Sequence, residues 1–195
     1  MTSQIIFEQK LPQALFQTFD SRPDFAVHEV TQVHGDKVIG CGNNNVLADG
    51  LFTKNKSFAL AIKTADCLPI AVIGERGVAL LHAGWKGIKL NIFCHKNILD
   101  IRPEYFFLGP AIHWQNYAVQ EDFLAHFPHS QSIITKNGQY FFDIYGEAIN
   151  RIKNAYPLAT IQGIDSPCTF ACTKYHSYRR DKTELRNWNI LKSHL

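Results

Sequence analysis

The chain has 195 residues, 46% of them hydrophobic and 19% charged, with a formal net charge of +3. That length suits one well-buried core, the composition is that of an ordinary globular protein, and so small a charge excludes binding to nucleic acid through a globally basic surface. Five cysteines without the spacing of a secreted disulfide framework point to a reduced, cytoplasmic protein. No basic and then apolar leader opens the chain, and no apolar run reaches the ~20 residues that span a bilayer.

In chain order, residues 42–45 (G-N-N-N) read as a turn. Residues 58–63, 68–73 and 77–81 are short apolar runs bounded by Gly, Pro, Asp and Asn, a pattern that predicts strands buried on both faces. Residues 85–99 predict a helix entered through Gly84, with Ile88, Ile92 and Leu99 near one face. A fourth strand is predicted over 105–108, and a shorter helix over 120–127, ended by Pro128. Asp143 is a good N-cap for a helix over 144–155, where Ile144, Ala148 and Ile152 recur at i, i+4 and i+8. Strands and helices mixed in this way predict an α/β or α+β domain spanning 1–195, with the sheet order left open.

Three residues in turn-like contexts carry metal-ligand chemistry: His34 in Q-V-H-G, Cys67 in T-A-D-C-L-P and His82 in H-A-G-W-K-G. Two imidazoles and a thiolate are three ligands for a tetrahedral zinc ion, which leaves the fourth position free for chemistry. Cys67 and His82 fall at predicted strand ends, where a sheet would hold them accurately. Spacing by itself leaves a second reading open, in which Cys67 is a small buried hydrophobe and the histidines are surface or capping residues.

A rival cluster is Cys168, Cys172 and His176, spaced i, i+4 and i+8. One helix would align them, but Pro167 and the β-branched Thr169 and Thr173 oppose a helix there. Cys94 and His95 read as packing residues, Cys41 has no visible partner, and His28, His113, His126, His129 and His194 read as solvated or capping. The run Arg179-Arg180-Asp181 reads, in isolation, as a solvated loop with a local ion pair.

Together these motifs resemble the laccase-domain (YfiH-like) proteins, also described as multicopper polyphenol oxidases or peptidoglycan-editing proteins and assigned as zinc-dependent purine nucleoside phosphorylases. The matching elements are Q-V-H-G (32–35), A-D-G-L-F-T (48–53), T-A-D-C-L-P-I (64–70), L-H-A-G-W-K-G (81–87), L-G-P-A-I (108–112), C-T-F (168–170) and S-Y-R-R-D-K-T (177–183), followed by Arg186. They run in the family's order from about Thr31 onward.

The resemblance implies an α+β fold of layered α/β/β/α type with mixed sheets, shared distantly with cysteine-hydrolase toxins. It implies zinc on His34, Cys67 and His82, and cleavage of adenosine, inosine, guanosine or methylthioadenosine with phosphate. Adenosine deamination is a further activity that such a metal would allow. Cys67, His82 and Asp66 are then the catalytic group, with Asp66 either orienting a ligand histidine or capping a turn. Lys86, Arg179 and Arg180 are the expected phosphate contacts, Asp49 a site residue, and Trp85 and Tyr178 faces for purine stacking. A small-molecule substrate, no membrane or nucleic-acid partner, and a monomer or weak homo-oligomer are expected. The alternatives are a hydrolase or amidase using Cys67 with His82 as nucleophile and base, and a copper phenol oxidase, which one compact triplet serves poorly.

The chain departs from the family pattern in three places. Lys86 stands where the family usually has Arg, Glu184-Leu185-Arg186 replaces T-G-R, and the segment before Q-V-H-G, 1–30, is shorter and has no glycine-rich loop.

Overall fold

Residues 2–42, 46–55 and 57–194 are described by a computed structural model. The turn expected at 42–45 lies, in its Asn43 to Asn45 part, outside them.

The N-terminal stretch opens with a hairpin, β1 (Ile5–Leu11) and β2 (Ala14–Phe19), followed by the short β3 (Val38–Gly40) and β4 (Gly50–Thr53). Next come β5 (Ala59–Thr64), β6 (Leu68–Gly74) and β7 (Gly77–Ala83), where three of the expected strands lie. Two short helices follow, α1 (Trp85–Lys89) and α2 (Lys96–Asp100), with a single 3-10 turn (Ile92–Cys94) between them. The chain continues with β8 (Pro103–Leu108), β9 (Ala118–Val119), a 3-10 helix (Glu121–His126), β10 (Ile133–Lys136), β11 (Gln139–Phe142), α3 (Ile144–Ala155), β12 (Thr160–Gln162), α4 (Tyr178–Asp181) and β13 (Asn187–Ser193).

These strands form three sheets. A six-stranded mixed sheet has the order β12-β8-β6-β7-β4-β3, a four-stranded antiparallel sheet the order β1-β2-β13-β5, and a small one the order β10-β11-β9. The fold is α+β, as the resemblance implies.

Alternation along β6 and β7 shows why the layers stack. Leu68, Ile70, Val72, Ala79 and Leu81 face one core with Ile88, Ile92, Phe106, Ile144, Ala148 and Ile152 from the helical side. Ala71, Ile73, Val78 and Leu80 face the other way, onto Phe16, Leu60, Ile62 and Leu191 of the four-stranded sheet. A period of two that is apolar on both faces is what a central, doubly covered sheet requires. The far face of the four-stranded sheet packs Ala61 and Ile190 under Phe25 and Val27. Each large side chain buried this way contributes roughly 1.5–3 kcal/mol before the entropy of ordering is counted.

The helix over 144–155 forms as expected, and the Asp143 carboxylate accepts from the Gly146 N–H at 3.0 Å. The helix expected over 85–99 does not. His95, extended at φ −56° and ψ 142°, divides the pattern once, and before it Asn91 breaks it at φ +55°, in the left-handed region. The Asn91 amide oxygen accepts from the Arg151 guanidinium of α3 at 2.9 Å, so a distant partner fixes a conformation that asparagine tolerates better than most residues. Leu99, expected on the buried face, is 53% exposed. Over 120–127 the structure has a 3-10 rather than an α-helix.

Candidate metal centre

The three donors His34, Cys67 and His82 come from separate parts of the fold. His82 lies near the end of β7, directly opposite Pro69 of β6, and Cys67 immediately precedes β6. His34 sits in the loop before β3 at φ +59°. A left-handed conformation at a non-glycine residue stores strain, and surrounding contacts have to hold it.

The holder is Asp49. Fully buried, its carboxylate accepts from the backbone N–H groups of Val33 (3.3 Å), His34 (2.9 Å) and Gly35 (2.7 Å). It also accepts from His82 Nδ1 at 2.7 Å. One buried carboxylate thus pins the His34 loop and sets the His82 tautomer, which leaves Nε2 free toward Cys67.

The donor atoms of His34, Cys67 and His82 lie within 4.8 Å of one another, and no other group of His, Cys, Asp and Glu among the described residues converges in this way. The two imidazoles meet edge to face with ring centroids 4.7 Å apart. Burial alone would raise the Cys67 thiol, but the His82 charge and hydrogen bonds from His34 and His82 outweigh it and hold the thiol below its usual range. Burial also opposes charge on His82, yet Cys67 and Asp49 push its affinity for a proton up. A thiolate beside imidazoles, open on one side, suits a soft divalent metal such as zinc. Gly84 makes room for it: a Cβ there would meet Cys67 Sγ at 3.2 Å and His34 Cδ2 at 3.4 Å.

The three donors open into a cavity of about 830 Å³. Of the expected site residues, Asp66, Tyr178 and Arg179 line it beside the triad. Asp66, at φ +91°, turns its carboxylate away from the histidines. It accepts from Thr169 Oγ1 at 2.8 Å and from the Arg179 backbone N–H at 2.7 Å, so it anchors α4, while the carboxylate that orients a histidine is Asp49.

Four expected contacts lie elsewhere. Asp49 is sealed behind His82, out of reach of a substrate. Trp85 packs on Phe123 and His126, with the Lys86 ammonium 5.5 Å from its ring, and neither lines the cavity. Arg180 spends its guanidinium on the carbonyls of Thr169, Phe170 and Tyr175 and on Asp181. Arg179 is the arginine of the pair that reaches the cavity, its guanidinium 4.9 Å above the Tyr117 ring. The rival cluster has no helix. Cys168 Sγ accepts from His113 N and Asn116 Nδ2, and His176 bonds the Asp20 carbonyl.

The cavity also takes residues that motif reading missed. Tyr117, buried to 8% exposure, has its phenol pushed up, chiefly by burial and then by the Cys67 and Asp66 charges, so it stays a neutral donor. Lys63, Trp188 and, from the stretch after β2, Asp20, Ser21 and Arg22 also line the wall. Trp188 and Lys63 face each other across β13 and β5, a pairing that no local pattern announces.

Fold and site together define a layered α+β protein with a His/Cys/His donor set at an open cavity. A family model described as multi-copper polyphenol oxidoreductase laccase matches residues 11–190, and the chain belongs to this laccase-domain, YfiH-like family. It is similar to a purine nucleoside phosphorylase of Aquifex aeolicus, 30% identical over 168 residues that cover 80% of this chain and 77% of that protein. It is likewise similar to the purine nucleoside phosphorylase YfiH of Escherichia coli, 32% identical over 169 residues covering 80% and 69%. Among solved structures, YlmD from Geobacillus stearothermophilus superposes with a TM-score of 0.74 at 21% identity, covering 98% of this chain and all of that one. No helix among the described residues is long and apolar enough to cross a membrane.

Proposed function

We propose that this chain is a zinc-dependent purine nucleoside phosphorylase that cleaves adenosine and related purine nucleosides with phosphate. The observation that carries this reading is the convergence of His34, Cys67 and His82 at the cavity, with Asp49 fixing two of the three from behind. A zinc ion on these donors supplies Lewis acidity and a site that lowers the pKa of a bound water.

The protein's own groups account for the rest. In phosphorolysis a phosphate oxygen bonds to C1′ of the ribose as the C1′–N9 bond breaks, and the purine leaves with the electron pair and takes up a proton. Arg179 holds the Ala118 carbonyl with Nη1 at 2.7 Å, which leaves the Nε and Nη2 donors for the phosphate, and Asp66 fixes its backbone. Tyr117 offers a neutral hydroxyl beneath that guanidinium. Tyr178, 47% exposed on the cavity wall, offers a ring face for the purine. Holding ribose and phosphate in line is itself a large part of the catalysis.

One observation favours a second reading. Cys67, His82 and Asp49 are in line as nucleophile, base and orienting acid, the arrangement of a cysteine hydrolase. His34 argues for the metal, since such a dyad has no use for a second imidazole on the sulfur.

The test is to incubate zinc-loaded protein with adenosine, with and without phosphate, and to follow adenine, inosine and ribose 1-phosphate. Phosphate-dependent adenine release is expected. A loaded protein that releases none, or a metal-free protein that is fully active, overturns the assignment.

A further inference from the structure

At the mouth of the same cavity two cations share one carboxylate. Glu29 accepts from the Arg22 guanidinium and, at 2.9 Å, from Lys63 Nζ. Both cations also lie on Trp188, Arg22 at 5.0 Å and Lys63 at 5.2 Å from the ring centroid. Arg22, Lys63 and Trp188 line the cavity, whereas Glu29 does not. The carboxylate therefore holds the pair from outside while the cationic faces look in, and one positive charge is left over.

The other carboxylates of the lining have hydrogen-bond or ion-pair partners of their own. Asp20 is engaged by Gln4 N and Ser21 Oγ, Asp66 by Thr169 and Arg179, and Glu184 pairs with Arg186 at 3.6 Å. Arg186 also donates to the carbonyls of Thr183 and Leu185. By contrast, Arg22 uses only one guanidinium nitrogen among the described residues, so Nε and the second amino group have donors to spare. Two cations packed on an indole and backed by a carboxylate are preorganised, so binding an anion there freezes little further freedom.

Position matters as much as charge. Lys63 is fixed by Gln32, whose side chain pairs with both its N–H (2.8 Å) and its carbonyl (2.7 Å). Three residues then separate it from Cys67, at most ~14 Å of chain. The cation pair is thus within chain reach of the metal donors and lines the same cavity, together with Thr64, Ala65 and Thr31. A cavity of about 830 Å³ has room for more than a nucleoside.

Resting on the phosphorylase reading, we propose that the Arg22–Lys63 pair is an anion subsite for a phosphate carried by the substrate, which extends the substrate class to purine nucleoside 5′-monophosphates. The chemistry balances: an oxygen of inorganic phosphate bonds to C1′, C1′–N9 breaks, the purine takes the proton brought by dihydrogen phosphate, and ribose 1,5-bisphosphate leaves with the second phosphate intact.

The experiment compares kcat/KM for adenosine 5′-monophosphate and for adenosine in the zinc-loaded wild type, Arg22→Gln and Lys63→Met. In parallel, Trp fluorescence is titrated with each compound, using Trp188→Phe to assign the signal. The expected result is nucleotide cleavage whose ratio to adenosine cleavage falls about tenfold to a hundredfold in either variant, the scale of one lost charge-assisted contact. Quenching by the nucleotide, absent in Trp188→Phe, is expected alongside. Cleavage of adenosine with none of the nucleotide, or a ratio the variants leave unmoved, overturns the subsite and spares the phosphorylase reading. A raised KM for inorganic phosphate with that ratio unchanged would assign the pair to the free co-substrate and equally overturn it. If the protein cleaves neither compound, the phosphorylase reading fails, and the titration still decides whether the subsite binds the nucleotide.

Discussion

Asp49 Oδ1 is shared by two of the three metal donors: it accepts from His82 Nδ1 at 2.7 Å and from the His34 backbone N–H at 2.9 Å. The orientation of one imidazole and the position of the other therefore depend on a single buried oxygen.

Asp49→Asn keeps the shape of that residue but removes its charge and turns a donor toward backbone N–H groups. Zinc affinity, measured by competition with a chromophoric chelator, is expected to fall about 10–100-fold. An affinity equal to wild type would show that the triad is organised without it.

Gly84→Ala brings a methyl to within 3.2 Å of Cys67 Sγ and 3.4 Å of His34 Cδ2. The backbone there, φ −68° and ψ 172°, is open to alanine, so the fold should be kept and the donors displaced. Loss of zinc binding with an unchanged far-UV circular dichroism spectrum is expected. Unimpaired binding would mean that the donors shift at no cost.

Arg179 and Arg180, adjacent in sequence, should separate cleanly. Arg180→Gln leaves three carbonyls short of a donor, at roughly 1–3 kcal/mol, and should lower Tm by several degrees. Arg179 gives a single nitrogen to a carbonyl, Nη1 to Ala118 at 2.7 Å, so Arg179→Gln should lower Tm less than Arg180→Gln and should lower kcat/KM for adenosine. Thermal denaturation and steady-state kinetics on the two proteins decide it, and the opposite pattern would exchange the two roles.

Glu147 supplies a pH dependence. Burial works against its charge, but hydrogen bonds from Ser130 and Arg151 and the Arg151 charge outweigh it, so its carboxyl is held below the usual 4.5. The folded state thus binds this proton less tightly than the unfolded chain. Its contribution to stability is complete above the unfolded value of 4.5 and is lost as pH falls through the lower folded value. Melting curves between about pH 6 and about pH 3 should show a shallower loss for Glu147→Gln than for the wild type; identical slopes would remove the pair from acid unfolding.

What could be read from the sequence follows how local each cause is. The strands at 59–64, 68–74 and 77–83 carry their burial in their own apolar runs, and α3 carries its cap and its period. The donors of the triad could be named because each sits in a short motif. The break at Asn91 could not be foreseen, because its cause is Arg151 on another helix. Nor could the roles of the two aspartates, since Asp49 and Asp66 stand in equally polar turns and differ only in what folds against them. The cavity mouth was missed for the same reason: Arg22, Lys63 and Trp188 meet only once β2, β5 and β13 lie side by side.

That adjacency also sets an order of events. The hairpin β1–β2 precedes the other strands of its sheet along the chain, yet the strand that joins it to the rest of that sheet is β13, and Thr18 bonds Asn189, 171 residues later, at 2.9 Å inside the core. Until β13 inserts between β2 and β5, the β2 edge of the hairpin is unpaired and exposed to the mispairing that open strand edges invite. Closing so long a loop is slow, and Trp188 rides on the inserting strand, so the cavity gains its outer wall in the step that completes the sheet.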